Sequence, residues 1–206
     1  RNTVLLGLGA GVAGALAYAM VGYTLLRVAF RGRAVMDFLT WLPWSLPGIL
    51  LGLAFLWVFL GSGPLLLPLY GTLQLLILVI VVKGLPLGVQ LIKTSIAQVQ
   101  QDLEEGAWMA GASRLATLRR VVLPILAPSV VAVGLITVIE AVREIPAMVF
   151  LGTATTRPLA LLTLDYLNDS EFERASIVGL LTVALVIVAA LAGRALGVRL
   201  TVRAAE

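Results

Sequence analysis

Between Phe38 and Val82 the chain carries no charged residue. No ordinary water-soluble fold accommodates such a run, whereas a hydrocarbon layer ~30 Å thick takes ~20 apolar residues per helical crossing. The run is too long for one crossing. It is interrupted by Gly61-Ser62-Gly63-Pro64 and by Pro68, which are turn formers. It therefore reads as a hairpin of two membrane-spanning helices.

The rest of the chain follows the same rule. Sixty per cent of its 206 residues are hydrophobic and 13% are charged, which is not the make-up of a soluble domain. The expected fold is all-α: one polytopic membrane domain over 1–206, with five transmembrane helices at about 3–26, 38–60, 70–96, 121–146 and 175–193. With no Cys and no His, disulfides, thiolate or imidazole metal sites and His-based catalytic triads are excluded within this chain. The net charge of +4 does not point to nucleic acid, because the basic residues are split among loops. No cleavable signal is readable, and the start at Arg1 suggests an excerpt of a longer protein.

The spans carry distinct features. In Asn2–Leu26, Gly7, Gly11 and Gly14 with Ala10 and Ala17 give small-xxx-small spacing for close helix packing; glycine-rich filler is the plain alternative. Pro43, Pro47 and Gly48 should kink or unwind the start of the second span, and Trp41, Trp44 and Trp57 suit its interfacial ends. In the third span, Lys83 stands beside a Gly84-Leu85-Pro86 break. Lys83 and Pro86 either face a polar pathway, or Lys83 snorkels toward an interface. The fourth span is expected to continue toward Ala147. Glu140, Arg143 and Glu144 share nearly one helix face there, either as a self-neutralised pair or as the lining of a polar vestibule. Pro158 to Leu167 suggests a short surface helix.

Lys and Arg set the orientation. Of fifteen, ten lie in the turn at 27–33, around the 102–128 stretch and in the tail. The loop at 61–72 has none, and the loop at 145–174 has two against four acids. The basic loops should be cytoplasmic, which puts the N-terminus outside and the C-terminus inside.

The longest polar interruption, Asp102 to Pro128, is not an ordinary loop. Asp102 and Glu105 form an Asp-x-x-Glu capping pattern. Ser113 can cap a second short helix, with Arg119 and Arg120 near its end. Pro124 and Pro128 then open the next apolar run. Two short helices joined at Gly111 at a membrane surface make a docking platform.

This stretch resembles the EAA loop of permease subunits of type I binding-protein-dependent ABC importers. The pattern is Glu-Ala-Ala, three residues, Gly, nine residues, then Ile-x-Leu-Pro, and Glu105, Ala107, Gly111, Val121, Leu123 and Pro124 fall at those places. Gly106 replaces the first Ala and Val121 the Ile. Trp41-Leu-Pro-Trp-Ser-Leu-Pro-Gly48, Arg143-Glu-Ile-Pro-Ala147, Thr156-Arg-Pro-Leu-Ala-Leu-Leu and Asp169-Ser-Glu-Phe-Glu-Arg-Ala-Ser resemble segments of iron(III) importer permeases, so the chain looks like the C-terminal half of such a permease without its first helix. Thiamine, polyamine, sulfate and phosphonate permeases share parts of these patterns.

The resemblance implies a cytoplasmic coupling loop at about 100–120, between spans three and four. Glu105, Ala107, Gly111, Ala112, Ser113, Leu115 and Pro124 would meet a cytoplasmic ABC ATPase dimer. It implies a second permease unit, identical or fused, an external substrate-binding protein, and a multi-pass place in the bacterial inner membrane. No phosphate-cradling Gly-x-x-x-x-Gly-Lys-[Ser/Thr] loop is present, so ATP and Mg2+ belong to the partner and this chain is not itself an enzyme. The cargo path would draw on Lys83, Pro86, Glu140, Arg143 and Glu144. A secondary transporter or channel is the alternative of another class; it wants coupling charges at mid-bilayer, for which Lys83 is the candidate.

Overall fold

The computed structural model describes residues 1–99 and 102–195. Among them every regular element is helical. In order these are α1 (Asn2–Arg27), α2 (Arg33–Ser45), α3 (Gly48–Gly61), α4 (Leu73–Ala97), α5 (Asp102–Met109), α6 (Arg114–Thr117), α7 (Leu123–Val142), α8 (Met148–Leu151), α9 (Leu159–Asn168) and α10 (Phe172–Ala195). Gln100 and Gln101 of the expected loop, and Arg199 and Arg203 of the basic tail, lie outside the described residues.

Helix α1 is the central post, packed against α4 and α7. Its buried face combines small residues with Leu6, Tyr18 and Leu25. Gly7, Ala10, Gly11, Gly14 and Gly22 are buried, whereas Val4, Leu8, Val12, Leu16 and Met20 form an exposed ridge at four-residue spacing. A Cβ on Gly11 would come within 2.9 Å of the Gly134 carbonyl on α7, and one on Gly22 within 2.7 Å of Ile92 on α4. The glycines are thus contact points, not filler: without a hydrophobic drive between helices in lipid, close backbone approach supplies the packing. Two apolar clusters stack along the post. One joins Leu6, Ala10, Leu75, Val79, Met148 and Leu151 near its start. The other joins Tyr18, Leu25, Val89, Ile92, Val122 and Leu126 near its end.

Among the described residues four helical segments are long and apolar enough to cross a membrane, and a fifth crossing exists if α2 and α3 are taken together. The kinked start expected for the span at 38–60 is present as a full break between two helices. Helices α2 and α3 meet at 112°, because Pro43 and Pro47 remove two amide donors around Ser45–Gly48. Helix α3 has 14 residues, or about 21 Å of rise, short of the hydrocarbon thickness.

Two expectations change. Helix α4 is unbroken through Gly84-Leu85-Pro86. Proline there frees the Val82 carbonyl; the neighbouring Val81 carbonyl accepts a hydrogen bond from the Tyr18 hydroxyl at 2.9 Å, and Gly84 and Gly88 leave the room that the Tyr18 ring fills. The fourth span ends at Val142 instead of continuing to Ala147. Pro146 disfavours a helical Ile145, and Glu144 turns back to accept from the Ala147 amide at 3.2 Å. The short helix expected near Pro158–Leu167 is α9, which packs on α10 and buries Leu161 in the first cluster.

Candidate functional site

The two ends of α1 define two sides. At its start, the Asn2 side-chain amide donates to the Thr155 carbonyl at 2.8 Å, and the Thr3 hydroxyl accepts from the Leu159 amide at 2.9 Å. At its end, Arg27 donates to the Val99 carbonyl at 2.6 Å and lies against Glu104 of α5. The helix between has 26 residues, about 39 Å of rise. The α5–α6 segment and the 153–159 loop are therefore held at opposite ends of a bilayer-length rod.

The α5–α6 turn is closed by specific backbone bonds. Gly111 has φ +84°, a left-handed conformation that a Cβ would strain. Its amide returns to the Trp108 carbonyl at 2.9 Å, and the Ala112 amide to the Ala107 carbonyl at 3.0 Å. This is a glycine-closed helix end, with the last carbonyls satisfied. Ser113 then caps α6, its hydroxyl accepting from the Ala116 amide at 3.3 Å. Leu115 falls within α6.

Three features depart from the sequence expectation. The capping pattern does not sit with Asp102 as the cap, because Asp102 is already helical; the position before it lies outside the described residues. Glu105 is exposed, while Glu104, not singled out from the sequence, is buried. Its signal lay in the pairing of α1's terminal Arg27 with an acid far along the chain, which spacing within the loop does not reveal. Finally, Pro124 falls in the first turn of α7 as expected, but the backbone before it is already helical. Leu118–Val122 forms a π turn continuous with α6 and α7, and the Leu123 amide reaches back to the Leu118 carbonyl. The wider turn accommodates the proline that follows it, which has no amide to offer.

The second group lies where α4, the α2–α3 bend and the end of α7 converge. Lys83 forms an ion pair with Glu144. Of the three residues expected on one face, Glu144 thus pairs with Lys83, whereas Arg143 is exposed at the cap of α7, since the chain leaves the helix there and turns Glu144 toward α4. Lys83, Pro86 and Glu140 line a cleft of about 240 Å3 with Trp44 and Leu46. Trp44 stacks on Trp41 with ring centres 5.8 Å apart. A Cβ on Gly48 would stand 3.1 Å from Pro146 and 3.6 Å from the Lys83 ammonium, so the bend presses directly on this polar centre.

Known proteins share both sequence and architecture with this chain. A ferric transport system permease protein, FbpB, of Actinobacillus pleuropneumoniae is 28% identical over 153 residues, which are 74% of this chain and 22% of that protein. A related FbpB of Haemophilus influenzae is 29% identical, over 67% of this chain and 21% of its own length. A probable sulfate transport system permease protein, cysT, of Helicosporidium is 25% identical, over 82% of this chain and 64% of its own length. The chain thus spans about a fifth of the length of the ferric relatives it matches. Among solved structures, a chain of the MetNI methionine ABC transporter superposes with a TM-score of 0.72 at 20% identity, covering 95% of this chain and 91% of that one. A bacterial ABC transporter that imports alginate gives 0.76 at 15% identity, covering 97% and 79%. Residues 6–202 match the family described as the inner membrane component of binding-protein-dependent transport systems. The chain is a multi-pass membrane protein of that family.

Proposed function

We propose that this chain is the membrane-crossing unit of an ATP-driven importer in a bacterial inner membrane, and that α5 and α6 are its cytoplasmic coupling platform. The observation that carries the reading is the closed turn at Ala107, Gly111 and Ala112 with its Ser113 cap, held at the end of α1 opposite the 153–159 loop. A rigid two-helix knob exposing Trp108 and Met109 suits a groove on a partner that changes shape. That partner is a cytoplasmic ABC ATPase dimer, which holds ATP and Mg2+ and performs the hydrolysis. A second permease unit completes the path, and an external binding protein delivers the cargo. Glu105, Gly111, Ala112, Ser113, Leu115 and Pro124 belong to the platform; Lys83, Pro86, Glu140, Arg143 and Glu144 belong to the path.

Iron(III) is the cargo in this reading. Two ferric permeases are among the relatives. In the cleft Lys83 is already neutralised by Glu144, so Glu140 supplies a carboxyl group to cargo, which suits a hard cation. Sulfate is the second reading, supported by the cysT relative. The test is uptake by the complete complex in proteoliposomes. ATP-dependent accumulation of iron(III) supports the first reading and of sulfate the second. Cargo uptake by the permease without any ATPase refutes both and favours a secondary transporter.

A further inference from the structure

We propose that Glu104, gripped by Arg27 and Tyr23, is the joint through which movement of α5 reaches α1. It is a positioning residue, and the proposal rests on the coupling function above.

Tyr23 and Arg27 stand one turn apart on the same face of α1 and hold the two oxygens of one carboxylate. The Tyr23 hydroxyl donates to Glu104 Oε2 at 3.2 Å, and Arg27 Nε lies 3.0 Å from Oε1. The same guanidinium donates through Nη2 to the Val99 carbonyl at 2.6 Å and the Ile96 carbonyl at 3.3 Å. Those carbonyls lie in the last turn of α4 and just past it, where a helix end presents unsatisfied acceptors and partial negative charge. Three elements therefore meet on two side chains: the last turn of α1, the exit of α4 and the first turn of α5. Glu104 is 3% exposed and Arg27 9%.

The knot is poorly made as a stabilising device. Arg27 Nε and Glu104 Oε1 approach each other without the alignment of a hydrogen bond, and neither atom has a hydrogen-bond partner among the described residues. Desolvation of two charges cancels most of the attraction in such a pair, and an apolar contact would hold α5 as firmly. What the pair adds is direction: a carboxylate held from two sides fixes the angle of α5 against α1. Gly106 and Gly111 have open space where a Cβ would be, and Asp102 and Leu103 are exposed. Helix α5 also packs on α6 and on the 118–122 turn. Since the far end of α1 is bonded to Thr155 and Leu159, a rotation imposed at Glu104 is delivered to the opposite membrane face along one rod.

The test uses the complete complex in nanodiscs, in a cysteine-free background. Glu104→Ala is expected to keep the ATPase bound while cargo moved per ATP hydrolysed falls about tenfold, within the usual range of coupling between sites; Glu104→Asp should restore most of it. In parallel, spin labels at Met20→Cys and Leu103→Cys, both exposed, report the angle between α1 and α5. Their distance distribution should be narrow in the parent and broad in Glu104→Ala, while Asp102→Ala leaves it narrow. Unchanged cargo per ATP in Glu104→Ala, or an equally narrow distribution, overturns the joint and leaves the coupling reading standing. Failure of the parent to retain any ATPase overturns the coupling reading and the joint with it. If Glu104→Ala does not reach the membrane, Glu104→Gln, which keeps size and an acceptor for Tyr23, is read in the same way.

Discussion

The Lys83 ammonium on α4 is paired with the Glu144 carboxylate just beyond α7, and the two are unequally sheltered: 36% of the lysine side chain is exposed but only 8% of the glutamate. The inequality fixes which loss is worse. Lys83→Ala strands a buried carboxylate and should cost about 3 kcal/mol. Glu144→Gln keeps an acceptor for the Ala147 amide and lets the lysine turn into the cleft, so it should cost about 1 kcal/mol. The double variant Lys83→Met/Glu144→Gln should recover most of the Lys83→Ala loss. Thermal unfolding of the solubilised protein measures all three, and equal losses in the two single variants would refute the assignment.

Arg143 is exposed and takes no part in that pair. Arg143→Ala should leave membrane yield and stability within about 0.5 kcal/mol of the parent. A marked fall in folded protein would show that it holds the end of α7.

Helix α1 approaches α7 through Gly11 and Gly134. Gly11→Leu must push the two helices apart and should cost about 1–3 kcal/mol, whereas Gly61→Ala, in open space, should be nearly neutral. The comparison is made from unfolding midpoints in one detergent; similar values for the two variants would contradict the close approach.

Two glycines of the platform should respond with opposite signs. Gly106 is helical and meets nothing at its Cβ position, so Gly106→Ala should stabilise α5 by about 0.5–1 kcal/mol. Gly111 is left-handed at φ +84°, so Gly111→Ala should destabilise it by about 1 kcal/mol. Amide exchange across 102–112 reads both, and protection changing in the same direction for the pair would contradict the turn.

Ser113 and Asp169 belong to opposite ends of the bundle. Cysteines placed singly at these positions should react with a membrane-impermeant maleimide from opposite sides, Asp169→Cys from outside intact cells and Ser113→Cys only after lysis. Labelling of both from outside would invert or abolish the proposed orientation.

Much of this architecture was legible in the chain because its signals were local. Uncharged runs marked the spans, Gly111 marked a left-handed turn, and Ser113 marked a helix start; each depends on a few neighbouring residues. What escaped depends on partners distant in sequence. Glu104 and Glu105 look alike within the loop, and only the arrival of Arg27 and Tyr23 from α1 separates them. Lys83 and Glu144 find each other because α7 stops at Val142, an end that a continuous apolar pattern conceals. Pro86 looked like a break because its lost bond is visible locally, while Tyr18, which bonds the adjacent carbonyl, lies well upstream. The π turn at Leu118–Val122 left no signature beyond Pro124.

Helix α1 is bonded at its first turn to the 155–159 segment and at its last residue to Glu104 and Val99. A span with free ends meets a thinner bilayer by tilting alone, at a cost of fractions of a kcal/mol per Å. This one takes its neighbours with it: leaning α1 drags an outer loop and an inner helix together. Mismatch between protein and lipid is therefore spread over the whole bundle, and lipid chain length becomes a variable to which transport should respond.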